Sequence, residues 1–294
     1  MKHLVILDTH ALIYRSHYAL IKNPIVNSKG MNISAIHGFS SYLMRLMRKY
    51  KDSTFVATFD SNEPTFRKVM YPDYKANRNS MDKDLRIQIP YIQKFIELLG
   101  LKCFRESGFE ADDIIGLFCK YATDNDIHAK IVSKDKDLMQ LVNDHVNMLS
   151  PVPGPKIKII GRQEVLEKMN VEPEMILTYL ALVGDKADNI PGIRGVGPKT
   201  AEKIIMHGYR VEELIKDPFV LQDTELRSII IDGMEDLVLS YSLVKLSDDI
   251  DMDVSNELLE GTNVDYNGIV EFFKDTEIVG SQTRSLDIIY ANQS

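Results

Sequence analysis

The chain has 294 residues, 44% hydrophobic and 27% charged, a balance typical of a globular protein with room for one large or two ordinary domains. No stretch approaches the ~18 apolar residues of a membrane helix, and Asp8 interrupts the first apolar run, which argues against a signal peptide and for a cytoplasmic protein. The net charge of −8 argues at first against a nucleic-acid partner. Two cysteines outside any Cys-x-x-Cys spacing exclude a disulfide framework and are expected as reduced core thiols.

In chain order, LVILD (Leu4–Asp8) reads as a short buried strand ending in an acid, and a helical pattern follows through Tyr14 and Tyr18, with Arg15 on it. A helix is predicted over Ile33–Arg48. FVATFD (Phe55–Asp60) repeats the first pattern of strand then aspartate. Strands alternating with helices predict an α/β fold, a mostly parallel doubly wound sheet. FRKVMYPDYKANR (Phe66–Arg78) interleaves Arg67, Lys68, Lys75 and Arg78 with Phe66, Tyr71 and Tyr74. Cations with stackable rings suit a nucleic-acid strand, and an ordinary solvated loop is the competing reading. Pro72 ends any helix here, and Pro90 should kink or interrupt the helix expected over Leu85–Leu99.

The most informative stretch is Gly108–Asp137. Glu110, Asp112 and Asp113 open a helical pattern, and a β-branched run then leads to Val132 with Asp135 and Asp137 just beyond it. Helix-start acids favour the dipole, but that explains one or two of these five. Asp8, Asp60 and Asp135 are expected to converge at the carboxyl ends of the strands, where an open α/β sheet places its site.

Lys156–Ile160 reads as an edge strand, and Arg162–Met169 and Glu174–Val183 as helices. Asp185 and Asp188 share a turn, and a glycine-rich loop over Pro191–Thr200 feeds an Ala/Glu/Lys helix. Gly192-x4-Gly197 is not a P-loop, because Pro198 displaces Lys199 and a helix precedes the loop. Asp249, Asp251, Asp253 and Glu260 match calcium-loop spacing, but Val254 stands where the turn glycine belongs; an exposed strand is expected instead. Gly192, Gly195 and Gly197 let backbone N–H groups approach a phosphate, with Lys199, Thr200 and Lys203 adding donors. Val211–Ile215, Leu226–Ile231 and Leu237–Leu246 carry apolar stripes expected as core.

VILDTHALIYRSHYA, ATFDSNEPTFRKVMYPDYKANR, MDKDLRIQIPYIQKFIELLGL, GFEADDIIGLF, SKDKDLMQLV and GDKADNIPGIRGVGPKTA together resemble the 5′-nuclease domain of bacterial DNA polymerase I, stand-alone phage 5′-3′ exonucleases and, more distantly, flap endonucleases. The likeness runs in order from Leu4 to about Ile205 and weakens towards Phe273. The chain ends where such a polymerase would continue into proofreading and polymerase domains, so a free-standing nuclease of phage or bacterial origin is expected.

The resemblance implies a PIN-like nuclease core over 1–189, with an arch or gateway near 71–99, and a helical DNA-binding region over 190–294 with a helix–three-turn–helix at 190–205. It carries the family's metal-site acids onto Asp8, Asp60, Glu110, Asp112, Asp113, Asp135, Asp137, Asp185 and Asp188, all acidic here. With those nine neutralised by cations the remainder is close to neutral, so the overall charge no longer opposes a nucleic-acid partner. Two or more Mg²⁺ ions, with Mn²⁺ as substitute, and K⁺ at the glycine turn are the implied ions. Lys75 is implied to stabilise the reacting phosphate, with Arg78, Arg67 and Arg15 positioning the strand and Tyr74 contacting it. Thr9-His10 departs from the small residues usual after the first aspartate, and His10 is given no role. The implied substrate is DNA with 5′ ends or flaps, and RNA in RNA–DNA duplexes, cut by a monomer that serves primer or flap removal alongside replication proteins. A PIN-like ribonuclease is the second enzyme reading, and a catalytically silent nucleic-acid binder is the reading from another class.

Overall fold

The computed structural model describes residues 3–152, 156–255, 259, 261 and 263–278. Six strands, β1 (His3–Asp8), β2 (Thr54–Thr58), β3 (Lys102–Phe104), β4 (His128–Val132), β5 (Val146–Pro151) and β6 (Ile157–Ile160), form one sheet in the order β3-β2-β1-β4-β5-β6. All pairings are parallel except β5 with β6, which is antiparallel. β1 therefore sits centrally between β2 and β4, and the order reverses beside it. In a doubly wound sheet that reversal opens a crevice at the carboxyl ends of the strands.

Both faces of β1 are covered, which is why its apolar run is continuous. Leu4 and Ile6 join one core with Ile114, Ile115 and Phe118 of α5 (Ala111–Asp124). Val5 and Leu7 join the other, with Ile13 of α1 (Thr9–Ala19), Phe39 of α2 (Ser34–Lys49) and Phe95 of α4 (Lys83–Leu98). Between α2 and α4 lies the five-residue helix α3 (Phe66–Met70).

The rest is helical: α6 (Arg162–Met169), α7 (Ile176–Val183), α8 (Pro198–Ile205), α9 (Val211–Lys216), α10 (Thr224–Asp232), α11 (Met234–Val244) and α12 (Tyr266–Thr276). The core on the α5 face runs without a break into Ile193, Ile204, Leu214 and Leu237, so the helices after residue 190 pack onto the sheet domain. The opposite face is closed by α12, whose Phe272 and Phe273 stack against Phe95.

Several expectations change. α4 stays a continuous helix through Pro90; Pro90 and Arg86 are exposed, so the carbonyl left without its amide partner is solvated. Leu85, Ile92, Phe95 and Ile96 bury α4 in the core, and only the turns of 71–82 stand free of helix within the expected arch. The Phe66–Arg78 stretch is not all loop, because α3 forms before Pro72 and turns Arg67 inward. The helix expected from Glu174 opens as a 3-10 turn, Pro173–Met175. Asp249–Val254 is irregular rather than a strand, and Glu260 and residues 279–294 lie outside the described residues. Cys119 is buried as expected, whereas Cys103 is exposed on edge strand β3.

Gln88 shows how a single buried polar group holds α4 to α2. Its side-chain oxygen accepts from the N–H groups of Ala35 (2.8 Å) and Ile36 (3.3 Å) at the start of α2, and its amide donates to the Asp84 carbonyl. Gln88→Leu leaves two buried N–H groups unpaired and should cost about 2–3 kcal/mol in denaturant unfolding. A loss below about 0.5 kcal/mol, the size of an ordinary surface change, would contradict this.

Candidate metal centre and nucleic-acid interface

Asp8 ends β1 and also caps α1: its Oδ1 accepts from the Ala11 N–H (3.2 Å) and its Oδ2 from the Ser133 hydroxyl (2.6 Å). Ser133, fully buried just past β4, also accepts from the Asp135 N–H at 3.0 Å, and Asp135 Oδ1 accepts from the Asp137 N–H at 2.9 Å. Asp60, just past β2, accepts from the Ala111 N–H at the start of α5 (3.0 Å). The strand ends and the first turn of α5 are thus tied into one acidic crevice.

The nine acids differ in their partners. Asp8, Asp112, Asp135 and Asp137 have no cation within ion-pair distance among the described residues, and Asp137 Oδ1 is buried with no hydrogen-bond partner. Burial, with added repulsion from Asp135 and Asp60, raises Asp8 to about 6 despite its two hydrogen bonds. Asp112 is pushed well above the usual carboxylate range by burial and then by Asp135 and Asp8. Asp137 rises to about 7 through burial and the charges of Asp135, Asp185 and Asp188.

The others are paired. Glu110 Oε1 meets Lys75 Nζ at 2.8 Å, and its Oε2 accepts from the Tyr74 hydroxyl at 3.0 Å. Asp188 is held by Arg78, whose Nε donates to its Oδ1 at 3.0 Å, and Lys75 Nζ lies 3.9 Å from its Oδ2. Asp185 Oδ2 meets Lys136 Nζ at 2.8 Å. Burial opposes the charged forms of Lys75 and Asp185, but these partners win, raising Lys75 and lowering Asp185. Asp60 is lowered too: burial opposes this, and the His10 ring nitrogen 2.8 Å from Oδ2 outweighs it.

Lys75 reaches the crevice on a backbone that a non-glycine residue seldom adopts, φ 55°. Its N–H donates to the Asp188 carbonyl at 2.9 Å, and Asn77 and Asn189 bond across between the two loops. The loop carrying Lys75 and Arg78 is thereby clipped to the loop carrying Asp185 and Asp188.

Four expected site residues lie elsewhere. Arg67 is 2% exposed and grips Asp113 with two 2.7 Å bonds; it also donates to Glu110 Oε2 at 3.4 Å and to the carbonyls of Leu243 (2.7 Å) and Lys245 (2.9 Å). Asp113, fully buried, also accepts from the Ser247 N–H. The pair joins α5 to the end of α11 and leaves neither residue open to a metal or a strand. Tyr74 is 4% exposed, so its ring is core and its hydroxyl holds Glu110. Arg15 lies over the Tyr42 ring and donates to the Val152 carbonyl, outside the acidic set.

The glycine turn also divides. Gly192 is buried with φ +62°, donates to Ser240 Oγ (2.9 Å), and a Cβ there would sit 2.4 Å from the Val183 carbonyl carbon. It packs the turn against α7 and cannot meet a phosphate. Gly195 (φ +85°) and Gly197, the N-cap of α8, face open space. Lys199 and Lys203 are exposed and Thr200 half-buried on α8, with exposed Arg194 beside them. Sequence reasoning passed over Ser133, Lys136 and Arg194; the neighbours of the first two are named only by the fold.

Among the described residues no three acidic, histidine or cysteine side chains already stand at chelating geometry. The donor chemistry nonetheless suits a hard cation. The crevice offers carboxylates, four of them without counter-charge among the described residues, and one buried oxygen, Asp137 Oδ1, lacks any partner.

A crevice of this kind on such a sheet, backed by a helical domain with an open glycine turn, defines a nuclease class, and comparison with known proteins agrees. The model for the 5′-3′ exonuclease N-terminal resolvase-like domain matches residues 3–170, and that for the 5′-3′ exonuclease C-terminal SAM fold matches 171–267. The chain belongs to the 5′-3′ exonuclease family and is a 5′-3′ nuclease. It is 38% identical to a 5′-3′ exonuclease of Aquifex aeolicus over 294 residues, covering all of this chain and 98% of that one. It is 39% identical to DNA polymerase I of Treponema pallidum over 85% of this chain, spanning only 25% of the polymerase. A bacteriophage T5 flap endonuclease, solved with DNA and metal ions, shares the fold at TM-score 0.66 and 22% identity, over 98% of this chain and all of that one.

The uncompensated acids set a pH dependence. Asp8 and Asp137 bind protons more tightly folded than unfolded, so their contribution is complete below about pH 4 and lost as pH rises through about 6 to 7, and Asp112, also raised, acts in the same direction. With chelator present, Tm should fall between pH 5 and 7.5, and saturating Mg²⁺ should remove most of that slope. A chelated protein that gains stability over this window would overturn the assignment of these shifts.

Proposed function

We propose that this 5′-3′ nuclease is Mg²⁺-dependent and hydrolyses phosphodiesters in DNA carrying a free 5′ end or flap, leaving 5′-phosphates. The observation that carries the reading is the unpaired quartet Asp8, Asp112, Asp135 and Asp137 at the sheet's reversal point. Mg²⁺ bound there, with Mn²⁺ as substitute, supplies an activated water and stabilises the leaving oxygen. Glu110, Asp185 and Asp188 flank the quartet and complete the site, and Asp60 closes it from β2.

Lys75 and Arg78 are the cations with reach. Lys75 can leave Glu110 for the charge that develops on the reacting phosphate, and the planar Arg78 fork suits a neighbouring phosphate. Both meet the phosphate and not the base or sugar, so an RNA strand within an RNA–DNA duplex falls in the same substrate class. Arg67, Asp113 and Tyr74 enter this reading as supports of Glu110 and α5.

Duplex is assigned to the open part of the turn, Gly195 and Gly197, followed by Lys199, Thr200 and Lys203, with K⁺ held by turn carbonyls. Primer or flap removal follows from the kinship with the nuclease portion of DNA polymerase I. Asp135→Asn keeps volume and removes a charge, so cleavage of a labelled 5′-flap at moderate Mg²⁺ should fall at least about 100-fold with the fold retained. Near-normal cleavage would sink the metal reading.

The turn is tested separately. Lys199→Ala should lower the slope of log affinity against log salt by about one, measured on a 5′-overhang duplex in Ca²⁺ to prevent cutting. Gly195→Val strains a positive φ and crowds the approach, so it should weaken duplex binding, whereas Gly197→Val acts through bulk alone. Unchanged slope and unchanged affinity in all three would place the duplex elsewhere.

A further inference from the structure

Lys136 lies in sequence between Asp135 and Asp137, yet the ion pair it makes is with Asp185 Oδ2 on the neighbouring loop, at 2.8 Å. It completes a pattern. Each acid of the flank carries an internal cation: Lys136 on Asp185, Arg78 with Lys75 beside it on Asp188, and Lys75 with the buried Arg67 on Glu110. None of the quartet Asp8, Asp112, Asp135 and Asp137 does, among the described residues, and Asp137 Oδ1 has no partner at all. One site is thus divided into a half that lacks counter-charge and a half that supplies its own.

A divalent ion entering the quartet relieves repulsion and displaces nothing. An ion entering the flank must either evict ammonium and guanidinium groups from their carboxylates or sit beside them, and like charges this close repel strongly. Arg67 is fixed by Asp113, but Lys136, Arg78 and Lys75 can leave. Lys136 and Arg78 have 41% and 53% of their side chains exposed, and all three sit on long flexible or forked stems. A strand phosphate entering between them offers each an alternative anion.

Resting on the metal reading above, we propose that Lys136, with Lys75 and Arg78, acts as an internal counter-cation that keeps the flank closed to a divalent ion until substrate phosphate draws these cations away. The ions therefore bind in order, the first to the quartet in the free protein and the second to the flank when the strand is in place. Linkage makes the effect reciprocal: whatever factor substrate adds to the second ion's affinity, that ion adds to substrate affinity. Lys136 is the informative member, because it holds a flank acid and has no part in stabilising the reacting phosphate in the reading above.

The experiment is titration of the DNA-free, full-length protein with Mn²⁺, counting free ion by its EPR signal. Wild type should bind one Mn²⁺ at least about tenfold more tightly than a second, a gap of about 1.4 kcal/mol. Lys136→Met and Lys136→Gln should each tighten the second ion by about tenfold and the first by much less, so that the gap narrows, and Lys136→Arg should restore the wild-type gap. Two ions of equal affinity in wild type, or a second ion indifferent to Lys136, would overturn the proposal while leaving the metal reading intact. Failure of wild type to bind Mn²⁺ at all, or a first ion that survives Asp135→Asn, would instead remove the metal reading and this proposal with it.

Discussion

The structure depends on one unrelieved repulsion. Parallel strands β1 and β4 end side by side at the point where strand order reverses, and each delivers aspartate there: Asp8 directly, Asp135 and Asp137 just beyond. Asp112 joins them from the first turn of α5. Burial removes water that would screen these charges, and among the described residues no arginine or lysine forms an ion pair with them. Folding supplies the opposing free energy from the two cores that clamp β1, and the protein retains a local cost that the proposed divalent ion would relieve. Sites held against their own electrostatics are characteristic of catalytic function rather than of stability.

Around that centre the cations are distributed with discrimination. Arg67 is wholly internal: it satisfies Asp113 in the seam with α11 and also touches Glu110 from behind the crevice. Removing either partner would leave a buried charge uncompensated, whereas the pair together fixes α5 against the helical domain. Lys75, Arg78 and Lys136 are accessible and hold acids that face the crevice. The same α11 that receives Arg67 at its end also accepts the Gly192 N–H through Ser240. The glycine turn and the acidic helix are therefore mounted on one element.

Much of this was legible in the sequence, because it is local. A continuous apolar run ending in aspartate describes a central parallel strand and its site-facing end at once, so β1, β2 and β4 and their acids could be placed from residue order. The helices α2 and α6 followed from their apolar spacing in the same way. What escaped depends on partners far along the chain. FRKVMYPDYKANR carries four cations and three rings, and nothing local says that Arg67 and Tyr74 turn inward while Lys75 and Arg78 turn to the acids. Their partners lie 35 to 178 residues away. Gly192, Gly195 and Gly197 looked equivalent as glycines; contact with Val183 makes the first a packing residue and leaves the others open. Ser133 and Lys136 stood inside the most informative stretch and drew no attention, since a hydroxyl and an ammonium acquire meaning here only from the acids the fold sets opposite them. Pro90 misled for the converse reason, because solvent satisfies what the ring removes.

The central claim is that the uncompensated carboxylates at the ends of β1 and β4 are where a divalent ion binds first. Anomalous diffraction from crystals of the DNA-free protein soaked in limiting Mn²⁺ tests it most directly. The predicted result is a single strong peak bounded by Asp8, Asp112 and Asp135. A peak confined to the flank of Asp185 and Asp188, or to the exposed acids Asp249, Asp251 and Asp253, would contradict it.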